Sequence, residues 1–315
     1  MLTRLWRGSA PLTATGLLMF AALAGALIGL AVDPRLINGA AAWLKPAKFA
    51  ASIAIYTLTL AWIFSLIPEW TRTRQVIGWT TTVVLILELV IIDAQAFRGV
   101  ASHFNTATPL DGALFTVMGI AIVVQTLASI AVAVALWRRQ FEDAALGWAL
   151  RLGMTVTIVG ALTGGLMARP TPDQLKAAPA GQPMTVAGAH TVGGPDGGPG
   201  IPGTGWSTEH GDLRVAHFLG LHALQALPIA ALLLPRRRVT EEVRVRLTLI
   251  AAGTYVGLFG IVLSQALRAQ SVLAPDTLTI ALFATLFVLA SAAGASVLAS
   301  RPARQRTRTL LEANL

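Results

Sequence analysis

The stretch TLTIALFATLFVLASAAGASVL, residues Thr277–Leu298, contains no charged side chain and is long enough to cross a lipid bilayer as a helix. Seven further apolar stretches of similar length account for most of the chain: Pro11–Val32, Pro46–Leu66, Ile77–Ala94, Asp111–Trp137, Leu146–Met167, Leu213–Leu234 and Leu247–Leu267. Backbone groups in lipid must be hydrogen-bonded within the segment, so each stretch is predicted to be a helix. The sequence therefore predicts an all-α polytopic membrane protein with eight transmembrane helices, surrounded by the lipid bilayer.

The composition agrees with a membrane protein. Hydrophobic residues make up 55% of the chain, charged residues make up 12%, and the mean hydropathy is +0.67. A soluble domain carries about 25% charged residues, so this chain has too few charges for a soluble fold. The absence of cysteine excludes disulfides, thiolate metal ligands and thiol nucleophiles.

The distribution of basic residues predicts the orientation. With eight spans both termini lie on one side, and 16 of the 24 basic residues fall there: Arg4, Arg7, Arg72, Arg74, Arg138, Arg139, Arg151, Arg236, Arg237, Arg238, Arg244, Arg246, Arg301, Arg304, Arg306 and Arg308. Short loops rich in Lys and Arg stay in the cytoplasm, so we expect cytoplasmic termini and a plasma (inner) membrane location. The net charge of +9 is then a topology signal, and no nucleic-acid partner is expected.

Three short matches indicate an internal duplication. At offsets of 168 to 170 residues, three pairs of segments correspond: Gln95–Arg98 with Gln265–Arg268, Leu44–Phe49 with Leu213–Phe218, and Ala113–Phe115 with Ala281–Phe283. The expected units are a four-helix repeat over 1–140, a second over 141–300, and a basic cytoplasmic tail over 301–315. Four spans per unit is an even number, so the two units insert in the same direction. Shared hydrophobic composition is the alternative explanation.

The longest connection joins the fifth and sixth spans, on the side opposite the termini. This segment, 168–212, is rich in proline and glycine, a composition that excludes a helix or central strand and indicates turns. A loop of this length is either functional or disordered. Its Trp206, His190 and His210 favour a structured cap, whose surface could also receive a protein partner.

All five histidines fall on the side of that loop: His103, His190, His210, His217 and His222. Five positions turn a helix by about 140°, so His217 and His222 do not share a face, although either could meet His103 across the bundle. Imidazole binds transition metals and haem iron, so the cluster predicts a transition-metal or haem b centre. Histidines that bond only to backbone and water are the alternative.

Two carboxyl groups lie inside the third span. Glu88 falls near its middle, and Asp93 lies closer to the loop side. A carboxylate in the membrane is costly and normally faces protein, a cavity or a partner. No basic residue shares the depth of Glu88, so we expect a buried, neutral carboxyl bonded to polar groups such as Gln125 or Tyr56. Proton transfer through Glu88 and Asp93 is the functional alternative.

Basic side chains surround the loop-side ends of the helices, where positive charge opposes the topology rule: Lys45, Lys48, Arg98, Arg214 and Arg268. Guanidinium groups bind carboxylates and phosphates bidentately. The three arginines and Lys48 are therefore candidate ligands for haem propionates, an anionic substrate or a lipid headgroup. The alternative is pairing at the helix ends, of Arg98 or Lys48 with Asp93 and of the other arginines with Asp212 or Asp276.

Two stretches, Arg98–Asn105 and Trp206–Gln225, resemble an uncharacterised family of bacterial multi-pass membrane proteins. The resemblance covers the loop-side half of the molecule and implies no established activity. The plan of two four-helix units is similar to that of the haem A synthases, which carry helix-borne histidines at paired places in both halves. Here Lys48 stands where the duplication would place the equivalent of His217, and the fourth and eighth spans contain no histidine. This departure argues against a two-haem arrangement.

Three functions follow from these observations. The first is a haem- or metal-dependent redox protein with a His/Arg-lined polar site at the extracytoplasmic face. The second is a transporter or channel with a path between the repeats past Glu88. The third is a membrane-embedded binding or assembly factor that uses the long loop. The clustered histidines favour the first.

Overall fold

The computed structural model describes residues 1–177, 184–235 and 239–300, and helices dominate it. In chain order these are α1 (Leu2–Gly8), α2 (Ala10–Val32), α3 (Leu44–Phe64), α4 (Thr71–Arg98), α5 (Pro109–Arg138), α6 (Ala144–Met167), α7 (Pro172–Ala177), α8 (Leu213–Leu221), α9 (Ala223–Leu233), α10 (Glu241–Leu267) and α11 (Thr277–Ala299). Two antiparallel hairpins of two-residue strands complete the fold, β1 (Leu36–Ile37) with β2 (Ala40–Ala41) and β3 (Thr191–Val192) with β4 (Gly211–Asp212).

Seven of these helices are long and apolar enough to cross a membrane: α2, α3, α4, α5, α6, α10 and α11. The helices α8 and α9 are long and apolar enough only when taken together. If this bent pair is one span, the number of candidate spans is eight. The prediction of an all-α polytopic membrane protein is therefore supported. The basic segments 236–238 and 301–315, which contribute to the predicted orientation, lie outside the described residues.

The predicted sixth span is divided into two helices, whereas the sequence predicted one continuous helix. Its axis turns by 48° between α8 and α9, and the break falls at His222, upstream of Pro228 inside α9. The Thr157 hydroxyl of α6 donates to the Leu221 carbonyl at 3.3 Å and accepts from the Leu224 amide at 3.2 Å. A side chain that enters the hydrogen-bond ladder in this way is a recognised cause of helix bending.

The two halves of the chain pack in similar patterns. In the first half α2 packs most extensively on α3, and in the second α6 packs most extensively on the α8–α9 pair. In each half the third long helix contacts the first two and the fourth. At the end of the bundle opposite the long loop, an apolar core joins α3, α5, α6 and α9. Its central side chains are fully buried: Leu60, Phe64, Leu136, Leu150, Met154 and Leu224.

The described part of the long loop folds over the other end of the bundle. Within 168–212 the structure contains the short helix α7 and the strands β3 and β4. The prediction that this segment forms no helix is therefore wrong for α7, and the predicted turns lie between these elements. Gln174 anchors the loop, because its side chain accepts from the Gly188 amide at 3.0 Å and donates to the Gly188 carbonyl at 2.9 Å. Ser271 donates to the Ser207 carbonyl at 3.1 Å. The described residues therefore form the predicted structured cap.

Candidate functional site

The loop-side ends of α3 and α8 bring three basic side chains together. Arg214 holds Asp212 through two hydrogen bonds, Nε to Oδ1 at 2.9 Å and Nη2 to Oδ2 at 2.6 Å. Lys48 donates to the Thr204 carbonyl of the loop at 2.7 Å. Lys45 interacts electrostatically with Lys48 and Arg214, yet within the described ranges its ammonium forms no ion pair and no hydrogen bond. Lys45 is thus the one member of this group with an unsatisfied charge.

His103 lies beside Lys45 in an aromatic enclosure. It follows α4, and the rings of Phe49, Phe104 and Phe115 lie with centroids 5.9, 6.2 and 6.4 Å from the imidazole. Burial lowers the pKa of His103 well below its usual range, and the positive charge of Lys45 lowers it further. The imidazole is therefore neutral at physiological pH.

His190 approaches the same enclosure from the loop. Its ring contacts Phe104 with a centroid distance of 4.8 Å, and its Nδ1 lies 2.9 Å from the Asp196 carboxylate. Burial lowers the pKa of His190, although the hydrogen bond to Asp196 opposes the shift. Burial raises the pKa of Asp196, but bonds from His190 and Thr191 outweigh it and hold that pKa below its usual range. The carboxylate stays ionised and fixes Nδ1 as the protonated nitrogen of His190.

His217 completes the group from α8. Its Nδ1 lies 2.8 Å from the Gly160 carbonyl, which can only accept, so Nδ1 carries the proton and Nε2 presents a lone pair. His217 interacts electrostatically with His103 and His190. Among the described residues, the Nε2 atoms of all three histidines lack a hydrogen-bond partner. The three imidazoles therefore form one interacting group, and His103 and His190 also interact with Lys45.

Two of the five predicted histidines lie elsewhere. His222 sits at the junction of α8 and α9, where its ring packs on Phe218 at 4.2 Å between centroids. His210 packs against Gly194 within the loop, and its backbone amide donates to Ser207 at 3.0 Å. Among the described residues His222 has no electrostatic interaction with His103 or His217, so its predicted place beside them gains no support. His190 takes that place.

Glu88 is buried beneath this group. Its side chain is 1% exposed, as predicted, but neither carboxyl oxygen has a hydrogen-bond partner in the described part of the chain. Its electrostatic partner is Lys45, whose long side chain reaches inward from the first turn of α3. The predicted bonds from Gln125 or Tyr56 are not formed, because those two side chains bond to each other at 3.1 Å. The prediction that no basic residue shares the depth of Glu88 did not anticipate this interaction with Lys45.

Asp93 does not form the pairs predicted for it. Arg98 turns instead to Asp111 in the first turn of α5, at 2.7 Å, and Lys48 bonds to the loop. One buried oxygen of Asp93, Oδ1, has no hydrogen-bond partner among the described residues. No sequence pattern indicated that Asp111, rather than Asp93, would pair with Arg98.

The three predicted arginine ligands are all engaged in ion pairs at helix ends. Arg98 pairs with Asp111 and Arg214 with Asp212, while Arg268 pairs with Asp276 at 2.7 Å. Hydrogen bonds from Gln270 and from the Thr279 backbone hold the pKa of Asp276 below its usual range. The predicted alternative of pairing at the helix ends is therefore confirmed for Arg214 and Arg268. Their guanidiniums are not free to clamp a haem propionate or a headgroup.

The predicted metal centre gains no geometric support. In the residues described, no group of three or more His, Asp or Glu side chains is arranged to hold a metal ion. Comparisons with family models, with curated proteins and with solved structures give no match for this chain.

The residues that sequence reasoning missed act through tertiary contacts. Lys45 was noted only as one of several basic residues, and Asp196 was not noted at all. The single available signal for Lys45 was its place in the first turn of a span whose neighbour carries a buried acid.

Proposed function

We propose that this protein is a proton-coupled membrane transporter in which Glu88 is the proton-carrying residue. One observation carries the proposal: the Glu88 carboxyl is 1% exposed and lacks a hydrogen-bond partner among the described residues. Lys45, with which it interacts electrostatically, also forms no ion pair or hydrogen bond there. Unpaired ionisable side chains inside a membrane are expensive to keep, and they occur in proton relays and substrate pathways. A purely structural role would have supplied hydrogen bonds.

The histidine group supports a proton entrance on the loop side. His190 and His217 each fix their proton on Nδ1 and leave Nε2 as an acceptor. A neutral imidazole in such an arrangement can relay a proton, because Nε2 accepts one proton while Nδ1 releases another. Protons would pass from this group to Glu88, while Lys45 keeps its positive charge.

The packing at the opposite end supports a carrier in preference to a channel. The apolar core that contains Leu60, Leu136 and Leu150 fills the space between the two halves there. A continuous aqueous path is incompatible with such a core, so transport would need a second conformation in which the halves repack.

We further propose that the halves are tandem four-helix repeats, with eight spans, cytoplasmic termini and the long loop outside the plasma membrane of a bacterium. The matched packing of the halves supports the duplication. So does the recurrence of one ion pair: Arg98 and Arg268 end equivalent helices, and each binds an aspartate at the start of the next. A C-terminal reporter that is active only outside the cytoplasm would refute the orientation.

Sealed proteoliposomes with an internal pH-sensitive dye test the transport proposal. An acid pulse on the loop side, in a medium with mixed small organic acids and neutral solutes, should acidify the lumen faster with the wild type than with Glu88→Gln. Glu209→Gln removes an exposed loop-side carboxyl and should behave as the wild type. Equal rates for the wild type and Glu88→Gln in every medium would refute the proposal.

A metal- or haem-dependent redox protein is the second candidate, and one observation favours it. Histidines that bind metals usually donate their other ring N–H to a carboxylate or carbonyl, as His190 and His217 do here. Metal analysis and an absorption spectrum of the purified protein decide this candidate. Stoichiometric metal or haem that is lost in His217→Gln would place it ahead of transport.

A further inference from the structure

We propose that the transported substrate is a small monocarboxylic acid, bound as its anion at Lys45 together with one proton on Glu88. This inference rests on the proposed transport function and names the substrate class of the same site. It follows from the charge balance of the buried group, from the unused donors of Lys45, and from the apolar surface beside them.

The charge balance comes from six side chains. Lys45 interacts electrostatically with Lys48, Arg214, Glu88 and Asp196, and Lys48 interacts with Asp212. The three basic side chains of this group balance its three carboxylates when Glu88 is ionised. When Glu88 is protonated the group carries one excess positive charge. A buried group cannot hold an unbalanced charge cheaply, so a monovalent anion and a proton on Glu88 bind together.

Among the described groups on the helices that pack on α4, Lys45 is the one that interacts electrostatically with Glu88. The helix α2 contains no titratable side chain, and Asp111 of α5 is already paired with Arg98. The titratable groups of α3 besides Lys45 are Lys48, which is bonded to the loop, and Tyr56, which is bonded to Gln125 and Ser129. On α4 itself Asp93 is the other carboxyl. His103 and His190 are the imidazoles that interact with Lys45.

The donors and the apolar surface favour a carboxylate over other anions. Within the described ranges, the Lys45 ammonium uses none of its three N–H donors on a protein acceptor, so all can serve an oxyanion. The same ammonium lies 5.9 Å from the centroid of the Phe49 ring. Phe49, Phe104 and Phe115 together surround His103. A molecule with a charged carboxylate at one end and an apolar body at the other matches this surface. Phosphate has no apolar part to place there.

Titration calorimetry on the protein in nanodiscs measures both parts of the proposal. Benzoate and acetate serve as the probes, and inorganic phosphate as the contrasting anion. In two buffers of different ionisation enthalpy, benzoate binding should take up about one proton per anion and should weaken up to about tenfold per pH unit as the pH rises. Benzoate should bind more tightly than acetate, and acetate more tightly than phosphate.

Three variants of Lys45 and Glu88, with one control variant, separate the roles of the two residues. Lys45→Met should weaken benzoate binding by about tenfold or more, Lys45→Arg should restore most of it, and the exposed-loop variant Lys176→Met should bind as the wild type. Glu88→Gln carries a permanently neutral side chain, so it should bind benzoate with little proton uptake and a flat pH dependence. Thermal unfolding of each variant establishes that it is folded.

Each contrary result has a distinct meaning. Benzoate binding without proton uptake, or with the same uptake in Glu88→Gln, overturns the coupling of anion to proton. Preference for phosphate, or no binding of either carboxylate, overturns the substrate class, while Glu88-dependent proton entry in the vesicle assay would still support transport. Coupled binding in nanodiscs without any flux in vesicles would instead overturn the transport function and leave the binding site.

Discussion

The substitution Thr157→Val tests how the sixth span keeps its bend. The Thr157 hydroxyl is the bridge across the break, since it serves both the Leu221 carbonyl and the Leu224 amide. Thr157 is 3% exposed and Leu224 is fully buried, so no water replaces the lost partner. Valine has nearly the same shape and leaves no cavity. Each orphaned buried backbone group costs about 1–3 kcal/mol, and bonds between membrane helices fall at or below the lower end of that range.

We therefore expect Thr157→Val to lower the free energy of unfolding by about 1–2 kcal/mol. Reversible unfolding in mixed detergent micelles, followed by helical circular dichroism, measures this value. Hydrogen exchange at the Leu224 amide should also become faster. The control is Thr126→Val, because the exposed Thr126 hydroxyl bonds only within its own helix, to the Ile122 carbonyl, and should change stability by less than about 0.5 kcal/mol. Equal losses in the two variants, with unchanged exchange at Leu224, would refute this account of the bend.

Three further predictions concern the ionisable groups. Glu88→Gln should fold and insert as the wild type does, because an amide and a carboxyl have the same shape. Glu88→Lys should fail to accumulate in membranes, since it places a second cation beneath Lys45. Normal expression of the lysine variant would contradict the burial of Glu88. Arg98→Met should lower the melting temperature by several degrees, because it leaves the buried Asp111 without its cation, while Arg246→Met, at an exposed pair, should have no effect in the same thermal scan. Because the pKa of His103 is lowered in the folded protein, the unfolded chain binds more protons at this residue, and stability should fall as the pH drops below about 6.5. His103→Leu should lose less stability over that pH range in a series of denaturation curves. An unchanged dependence of stability on pH in the variant would contradict the lowered pKa of His103.

The paired arginines illustrate how far sequence patterns reach into the site. Sequence analysis predicted that Arg214 and Arg268 could meet Asp212 and Asp276, because those partners lie two and eight positions away and the helix end brings them together. Arg98 was predicted to meet Asp93 within its own helix. It binds Asp111 instead, because a side chain at the last turn of α4 points past its own helix toward the first turn of α5.

The sequence by itself determined the spans. A lipid environment forces every crossing segment to satisfy its own backbone, so apolar length alone predicts a helix, and the eight predicted stretches correspond to seven helices and one bent pair. Burial of Glu88 was also predictable, since a carboxyl in mid-span is too costly to face lipid.

The tertiary structure alone decided which polar groups meet. How separate helices pack decides three features of the site. These are the interaction of Lys45 with Glu88, the presence of His190 instead of His222 beside His103, and the bend at His222 instead of Pro228. Such contacts join residues that are distant in the chain, and their geometry is set by helix positions and side-chain lengths. The hydrophobic pattern of the sequence does not predict these contacts, because every membrane-spanning helix has a similar apolar pattern whatever its neighbours are.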